Sequence, residues 1–244
     1  MPTTLPTPLT VLGHALHPVD LEQAAAWILA SLDAPAPRLV VTLNPEIIVR
    51  ARHDEDLARA LARADLTVAD GVGVLWAAQR VGQRLPGRVP GVELAFAVMA
   101  RGGPSLRVAL LGGRPGVAEH AAREAARRWG VTVTTSGHGY FDHGREAATV
   151  AAEVAEGRPH LLLAGLGEGQ ELLLDRYREA WGARVLIGVG GTLDVLAGVA
   201  KRTPGWTRRL GLEWAWRVGL DPARWHRIPR LLAFVRLAVR ERRG

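Results

Sequence analysis

Short apolar runs rich in leucine and β-branched residues alternate along this chain with segments whose apolar and charged positions recur at helical spacing. Strands separated by helices indicate crossover units in which successive strands run parallel. The pattern therefore predicts an α/β fold: a Rossmann-like, mostly parallel sheet with helices on both faces. The predicted strands are 39–43, 66–69, 107–111, 131–135, 160–164 and 185–189; the predicted helices are 45–63, 72–81, 92–100, 117–129, 145–156, 170–181 and 193–199.

The two ends of the chain depart from this alternation. Residues 9–16 read as a small strand pair, followed by a helix over about 19–32. After Thr203-Pro204-Gly205 the pattern changes to helices rich in arginine and tryptophan. We therefore expect a Rossmann-like core over 1–200 and a basic, helical C-terminal appendage over 201–244.

Charge is distributed very unevenly between these two parts. Residues 201–244 hold 12 basic and 3 acidic residues, a net charge of +9, whereas the first 200 residues have a net charge of −2. The appendage also contains four of the eight tryptophans. Arginine interleaved with tryptophan and leucine suits an anionic membrane interface, and it also suits nucleic acid.

Composition excludes several classes of protein. The chain has no cysteine, which removes disulfides, thiolate nucleophiles and zinc–thiolate sites. No basic region followed by an apolar run marks a signal peptide at the N-terminus. The apolar run 231–239 is interrupted by Arg236 and is far shorter than the roughly 20 residues of a membrane span. We expect a protein that lies on a membrane without crossing it.

Polar residues stand at the ends of three predicted strands. Thr42 and Asn44 lie at the end of the first predicted strand of the sheet, and Asp70 follows the second. After the last predicted strand, Gly190-Gly191-Thr192 leads to Asp194. Ligands of open α/β sheets bind at such strand ends, and a half-buried carboxylate at Asp70 suits a general base. Asp70 and Asn44 are equally well placed as ordinary helix N-caps.

Two further motifs carry weaker signals. Gly112-Gly113-Arg114-Pro115-Gly116 follows a strand, but its spacing differs from the dinucleotide fingerprint and suits a simple turn. Tyr140 offers an aromatic platform for a base. His138 and His143 nearby invite a metal site, yet no metal-binding helix motif accompanies them.

Arginines of the appendage recur on helical faces. Arg217, Arg224 and Arg227 stand at i, i+7 and i+10, with few acidic residues to balance them. A face so charged repels itself unless it meets an anion. The spacing therefore favours an anion-facing role over a merely solvated surface.

Taken in order, these segments resemble the WecG/TagA/CpsF glycosyltransferases. The resemblance spans about residues 9–230. Its residues are Thr42-Leu43-Asn44, 69–74, 88–94, Gly139-Tyr140-Phe141, 188–191 leading to Asp194, 202–206, 211–214, Arg217 and 221–224.

The resemblance implies an inverting, metal-independent transferase that needs no cofactor. It would move N-acetylmannosamine, or a related hexose, from a UDP-sugar to a GlcNAc carried on undecaprenyl diphosphate, at the cytoplasmic face of the membrane. The implied general base is Asp70. By the same resemblance Thr42, Asn44, Arg88 and Gln170 line the sugar and acceptor pocket, Tyr140 and Asp194 hold the uridine, and Arg217, Arg224 and Arg227 reach the diphosphates.

This sequence departs from the family pattern at several positions. It has Ala69 before the Asp-Gly pair, Glu93 in place of aspartate, and Leu193 before the last aspartate. The loop before Gln170 reads Leu166-Gly167-Glu168-Gly169, which loses a cation and gains an acid.

Three other functions fit these residues less well than a transferase. An oxidoreductase using Gly112–Gly116 lacks the acidic residue expected about 20 positions further on to bind a ribose. A nucleic-acid-binding module using the basic tail lacks any recognition motif, so we expect no nucleic-acid partner. A non-catalytic scaffold would have no need of Asp70. Apolar surface around the tail favours self-association, with no number of copies indicated.

Overall fold

The protein is built around one six-stranded parallel sheet. The computed structural model describes residues 4–200 and 228–241. Its strands stand in the order β4-β3-β8-β7-β5-β6, and each neighbouring pair is parallel. The strands are β3 (Arg38–Leu43), β4 (Leu66–Ala69), β5 (Arg107–Gly112), β6 (Thr132–Gly137), β7 (Leu161–Gly165) and β8 (Val185–Gly188). The α/β, Rossmann-like prediction is confirmed.

The inner strands are apolar on both faces because helices cover both sides of the sheet. In β3, Leu39, Val41 and Leu43 face one core and Val40 faces the other, and all four are buried. Such continuous apolar runs are typical of parallel strands. The edge strand β6 contains three threonines and a serine and is mostly half-buried.

Ten helices occur within the described residues. They are α1 (Leu21–Ala30), α2 (Pro45–Ala51), α3 (Glu55–Ala62), α4 (Val72–Arg80), α5 (Gly91–Gly102), α6 (Val117–Trp129), α7 (Ala147–Glu156), α8 (Gln170–Arg176), α9 (Thr192–Leu196) and α10 (Ile228–Arg240). One face of the sheet carries α1, α5, α6 and α9, and the opposite face carries α2, α3, α4, α7, α8 and α10. No helix among them is long and apolar enough to cross a bilayer.

The chain crosses the carboxyl edge of the sheet between α4 and α5. Helix α4 packs on one face and α5 on the other, so residues 81–90 pass over the strand ends. The Val89 N–H donates to the Ala69 carbonyl at 2.7 Å. This crossing segment carries Arg88 to the mouth of the sheet.

The predicted strand pair near the N-terminus is also present. Strands β1 (Leu9–Val11) and β2 (His14–Leu16) form an antiparallel hairpin. Directly after it, His17 covers the outer edge of β4. The His17 N–H donates to the Thr67 carbonyl at 2.9 Å, and the Thr67 N–H donates to His17 Nδ1 at 3.1 Å.

Some predicted bounds were wrong. The helix predicted over 45–63 is two helices, because the Asp54 carboxylate accepts from the Leu57 N–H and starts a second helix. The helix predicted over 170–181 ends at Arg176. The proposed boundary at 200/201 stays a prediction, although α10 packs on the core and Phe234 is 1% exposed within it.

Candidate active site

The ends of β4, β3 and β8 lie side by side and bring Thr42, Asn44 and Asp70 together. The Asp70 N–H donates to the Leu43 carbonyl at 2.8 Å. The Thr42 hydroxyl donates to the Gly188 carbonyl at 3.0 Å. The three strand ends that the sequence singled out are therefore neighbours in the sheet.

Asp70 is half-buried directly after β4 and does not cap the next helix. Gly71, at φ 97°, occupies the N-cap position of α4, and no side chain caps that helix. A Cβ on Gly71 would meet no atom within 4 Å. Asp70 therefore stands at the strand end without a capping role, next to a glycine whose α-carbon faces open space.

Asn44 does serve as an N-cap, as one of the two sequence interpretations held. Its Oδ1 accepts from the N–H groups of Glu46 and Ile47 at 3.0 and 3.1 Å. Pro45 follows at the first helical position. Within the described ranges the side-chain amide nitrogen of Asn44 has no hydrogen-bond partner. Capping through Oδ1 therefore leaves this nitrogen free to donate to a ligand.

Arg88 reaches this edge on the crossing segment and is half-buried there. Its neighbour Val89 is bonded to the end of β4, next to Asp70. The segment also passes close over β3, because a Cβ on Gly91 would lie 3.3 Å from Thr42 Oγ1 and 3.7 Å from the Val189 Cα. Thr42, Asn44, Asp70 and Arg88 therefore form one group.

Gln170, the first residue of α8, is held inside the protein and does not line an open surface. It is 6% exposed. Its Oε1 accepts from the Leu166 N–H at 3.3 Å, and its Nε2 donates to Glu171 Oε1 at 2.8 Å. Both ends of the amide are therefore used within the chain.

Glycines bring the remaining strand ends unusually close together. A Cβ on Gly112 would lie 2.5 Å from the Gly165 carbonyl oxygen, and one on Gly165 would lie 2.4 Å from the Gly190 oxygen. A Cβ on Gly139 would lie 3.1 Å from the Gly112 Cα. The ends of β5, β7 and β8 thus form a floor of bare backbone, which the β6 loop approaches.

Tyr140 and Asp194 lie on either side of this floor. Tyr140 is 66% exposed after β6, and the Gly139 N–H donates to the Gly113 carbonyl at 2.9 Å, which holds the loop inward. Asp194 is half-buried in α9, with its Oδ2 3.8 Å from where a Cβ on Gly191 would stand.

The two histidines near Tyr140 make local contacts. His138 Nδ1 accepts from the Tyr140 N–H at 3.2 Å, and the His143 ring packs on Phe141 with centroids 4.8 Å apart. Across residues 4–200 and 228–241, no three histidine, aspartate or glutamate side chains form a group that could hold a metal ion.

Helix α10 lies against the first turns of α2 and α4, which directly follow Asn44 and Asp70. A Cβ on Gly73 would lie 3.0 Å from Pro45 Cγ and 3.4 Å from Phe234 Cε1. Arg230 forms an ion pair with Glu168, the acid that this chain has in the loop before Gln170. Arg217, Arg224 and Arg227 lie outside the described residues.

Sequence reasoning missed Glu171, which is 3% exposed beside Gln170. Burial raises the pKa of its carboxyl, while its hydrogen bond to Gln170 and the charge of Arg50 act in the opposite direction. An acidic residue at the start of a helix is usually solvated and favoured by the helix dipole. The sequence held no signal that this one would be buried.

Known proteins match this chain over most of its length. A family model of the glycosyl transferase WecG/TagA/CpsF family matches residues 9–244. The N-acetylglucosaminyldiphosphoundecaprenol N-acetyl-beta-D-mannosaminyltransferase of Bacillus spizizenii is 29% identical over 219 residues, which cover 87% of this chain and 83% of that protein. The protein whose strand ends assemble Thr42, Asn44, Asp70 and Arg88 belongs to the WecG/TagA/CpsF glycosyltransferase family.

Proposed function

We propose that this chain transfers N-acetylmannosamine from a UDP-sugar to GlcNAc on undecaprenyl diphosphate, in the synthesis of a cell-envelope polysaccharide or a teichoic-acid-type polymer. The name of the Bacillus spizizenii relative describes the same sugar and the same lipid-linked acceptor. The observation that carries the proposal is the place of Asp70, a half-buried carboxylate at the carboxyl edge that does not cap the following helix.

In this reaction Asp70 is the general base. It takes the proton of an acceptor hydroxyl while that oxygen attacks the anomeric carbon of the donor sugar. The bond between that carbon and the diphosphate oxygen breaks, and UDP leaves with the electron pair. One displacement at carbon inverts its configuration and requires no enzymic nucleophile.

The residues around Asp70 bind and orient the two sugars. Arg88 lies on the crossing segment, next to Val89, whose N–H donates to the Ala69 carbonyl just before Asp70, and a guanidinium there can hold an oxygen-rich ligand. The amide nitrogen of Asn44 can donate to a sugar hydroxyl. Thr42 and Gln170 are 7% and 6% exposed, so we assign them to shaping the pocket from below.

The uridine lies over the glycine floor between Tyr140 and Asp194. Bare backbone permits a flat base to approach closely, and the exposed Tyr140 ring offers a stacking face. The Asp194 carboxylate can accept hydrogen bonds from ribose hydroxyls. These two roles rest on the family resemblance and on the position of both residues beside the floor.

No metal or other cofactor is required in the proposed reaction. Charge grows on the diphosphate as UDP leaves, and preorganised cations stabilise such charge strongly in a site that excludes water. Arg217, Arg224 and Arg227 supply these cations in the proposal. Donor and acceptor are then the ligands of the protein.

The outer face of α10 rests on an anionic membrane in this proposal, on the cytoplasmic side. Ile228, Leu232, Val235 and Val239 are 40–53% exposed along one face of that helix. Arg236 and Arg240 are exposed on the same helix. An apolar stripe flanked by arginines has the chemistry of an interfacial helix, and it would bring the site to its lipid-linked acceptor.

The test is UDP release by the purified full-length protein with a polyprenyl-diphosphate-GlcNAc analogue. UDP-ManNAc, UDP-GlcNAc and UDP-glucose are compared, and we expect acceptor-dependent release from UDP-ManNAc. Asp70→Asn should retain UDP binding and lose roughly a hundredfold or more in turnover. Asp56→Asn, on the exposed surface of α3, is the matched control and should keep the wild-type rate.

Each part of the proposal has its own contradicting result. Full turnover by Asp70→Asn would remove Asp70 as the base, and a preference for another donor would change the sugar. A chelator should leave the rate unchanged; inhibition that Mg²⁺ or Mn²⁺ reverses would contradict the metal-free reaction. Absence of UDP binding, together with tight DNA binding, would favour the nucleic-acid alternative.

A further inference from the structure

Glu171 is a buried acid at the carboxyl edge of the sheet. It is 3% exposed, and within the described residues it forms no ion pair. Burying an ionisable group that has no ion-pair partner is costly. Burial is indeed the main influence on this carboxyl, and it raises its pKa. A carboxyl kept at such a cost beside a proposed active site calls for an explanation.

The contacts of Glu171 lead towards the site residues. Its Oε1 accepts from Gln170 Nε2 at 2.8 Å, and Gln170 Oε1 accepts from the Leu166 N–H. The bond to Glu171 therefore fixes which way the Gln170 amide points. Without it, the amide nitrogen would be buried with no acceptor, and the amide would be able to rotate.

The same two side chains lie directly against the end of β8. A Cβ on Gly188 would stand 2.8 Å from Gln170 Nε2 and 3.3 Å from Glu171 Oε1. The carbonyl of Gly188 accepts from the Thr42 hydroxyl at 3.0 Å. A continuous set of contacts thus runs from Glu171 through Gln170 and Gly188 to Thr42.

We propose that Glu171 is a positioning residue: its carboxyl oxygen holds the Gln170 amide against Gly188, and Gly188 in turn orients the Thr42 hydroxyl and the turn over 189–191. This inference rests on the proposed function for its consequence in catalysis. Its structural part, the fixed Gln170 amide, stands independently of any reaction. Glu171 itself touches no substrate.

A carboxyl group supplies the acceptor oxygen that reaches Gln170 Nε2 in this buried setting. A carboxamide has nearly the same shape and also offers an acceptor oxygen. The side chain of Glu171→Gln should therefore make the same hydrogen bond as the native side chain. Glu171→Ala removes the acceptor oxygen, and Glu171→Asp moves it away from Gln170 by the length of one methylene group.

The first measurement is steady-state kinetics of the full-length variants with the lipid-linked acceptor. Glu171→Ala and Glu171→Asp should lower kcat by roughly tenfold to a hundredfold, with a smaller change in the donor KM, because misplaced groups near the reacting atoms lose rate. Glu171→Gln should restore turnover close to wild type. The matched control Glu179→Ala removes an exposed glutamate beyond α8 and should change nothing.

The second measurement does not depend on activity. The chain has four glutamines, so ¹⁵N-glutamine labelling gives few side-chain amide signals. In wild type and Glu171→Gln the Gln170 amide protons should exchange slowly with solvent, and in Glu171→Asp they should exchange faster. This readout tests the fixed amide even if the wild type transfers no sugar, in which case the proposed function alone fails.

Several results would overturn the inference. One is a folded Glu171→Ala or Glu171→Asp with full turnover and a protected Gln170 amide. Another is a folded Glu171→Gln as inactive as Glu171→Ala, which would mean that the negative charge itself is required. If Glu171→Ala fails to fold, the comparison of Glu171→Asp with Glu171→Gln decides the question.

Discussion

At the scale of single residues, the glycine floor depends on missing side chains. The Gly165 backbone lies so close to Gly190 that even a methyl group would collide with a carbonyl oxygen at 2.4 Å. A carbonyl oxygen at a strand end moves only when the backbone moves with it. The close spacing of β5, β7 and the turn after β8 is therefore possible only because these positions are glycines and carry a hydrogen atom in place of a side chain.

Gly165→Ala should separate β7 from the turn at Gly190 and disturb the uridine site. We expect weaker UDP binding, lower turnover and a loss of about 1–3 kcal/mol in the free energy of unfolding, as for overpacked cores. Calorimetric UDP titration and urea denaturation would measure the two effects. Gly87→Ala is the control, because its Cβ would meet no atom within 4 Å. A Gly165→Ala protein with native UDP affinity would show that the floor does not carry the nucleotide.

The sequence predicted the neighbourhood of Asp70 better than that of Gln170. Residues just after strands reach the carboxyl edge in any parallel sheet, so Thr42, Asn44 and Asp70 could be grouped from their positions alone. Whether a side chain then faces outward or inward depends on packing between distant segments. Gln170 turns inward, where its amide binds Leu166 and Glu171 and lies against Gly188 of β8, and no local pattern encodes the approach of β8.

At the scale of elements, strands were easier to locate than the ends of helices. Buried parallel strands are continuous apolar runs, which the sequence displays directly, whereas one side-chain cap can divide a helical pattern. Asp54 did so within 45–63. The order of the strands was beyond reach, because β8 lies between β3 and β7 through contacts that join residues far apart in the chain.

Helix α10 is anchored by Phe234 and by hydrogen bonds from Arg80. Arg80 Nε donates to the Ala238 carbonyl at 3.1 Å near the last turn of the helix. Phe234 is buried beside the first turn of α4, where Gly73 leaves room for its ring. The helix that covers the segments after Asn44 and Asp70 is therefore fixed at both positions.

Phe234→Ala should release α10 from the core. Large-to-small changes of a buried phenylalanine cost about 3–5 kcal/mol, which is enough to undock a single helix. We expect faster limited proteolysis after about residue 227 and lower turnover, with the sheet still folded by circular dichroism. Leu232→Ala, on the exposed side of the same helix, should resist protease like wild type. Equal protease resistance of both variants would show that Phe234 does not anchor the helix.

His17 makes the edge of β4 sensitive to pH. Burial lowers the pKa of its imidazole, and the ring nitrogen that accepts from the Thr67 N–H must be unprotonated to do so. The neutral ring is therefore favoured in the folded state, and its contribution is present above the ordinary histidine pKa and lost as the pH falls through the lowered value. His14 is shifted in the same direction, by burial and by Arg52.

The free energy of unfolding should thus decrease from about pH 7 to pH 5. His17→Asn keeps an acceptor for the Thr67 N–H and cannot titrate in this range, so it should flatten part of that decrease. Urea denaturation at several pH values measures it. The exposed His53→Asn is the control and should keep the wild-type slope. An unchanged slope in His17→Asn would assign the acid sensitivity to other groups.

At the scale of the whole molecule, one face of the sheet differs from the other. The face with α10 presents the apolar stripe, and Trp76 of the neighbouring α4 adds a ring that is 37% exposed. The helix carries three arginines and no acidic residue between Ile228 and Arg240. The opposite face carries α6, whose surface pairs Glu124 with Arg127 and Arg128. Apolar and unbalanced cationic surface thus occur together on the face beside the proposed active site.

Leu232→Asp should weaken binding to vesicles that contain anionic lipid, because a carboxylate in the exposed stripe must be desolvated to enter the interface and is repelled by the lipid charge. Leu232 is 52% exposed, so the fold should be unaffected. Ala126→Asp adds the same charge to exposed α6 on the opposite face and should bind like wild type. Cosedimentation with vesicles measures both variants, and added salt should weaken wild-type binding because arginines contribute to it. If both variants lose binding equally, net charge governs the association; if neither does, the α10 stripe is not the membrane-facing surface.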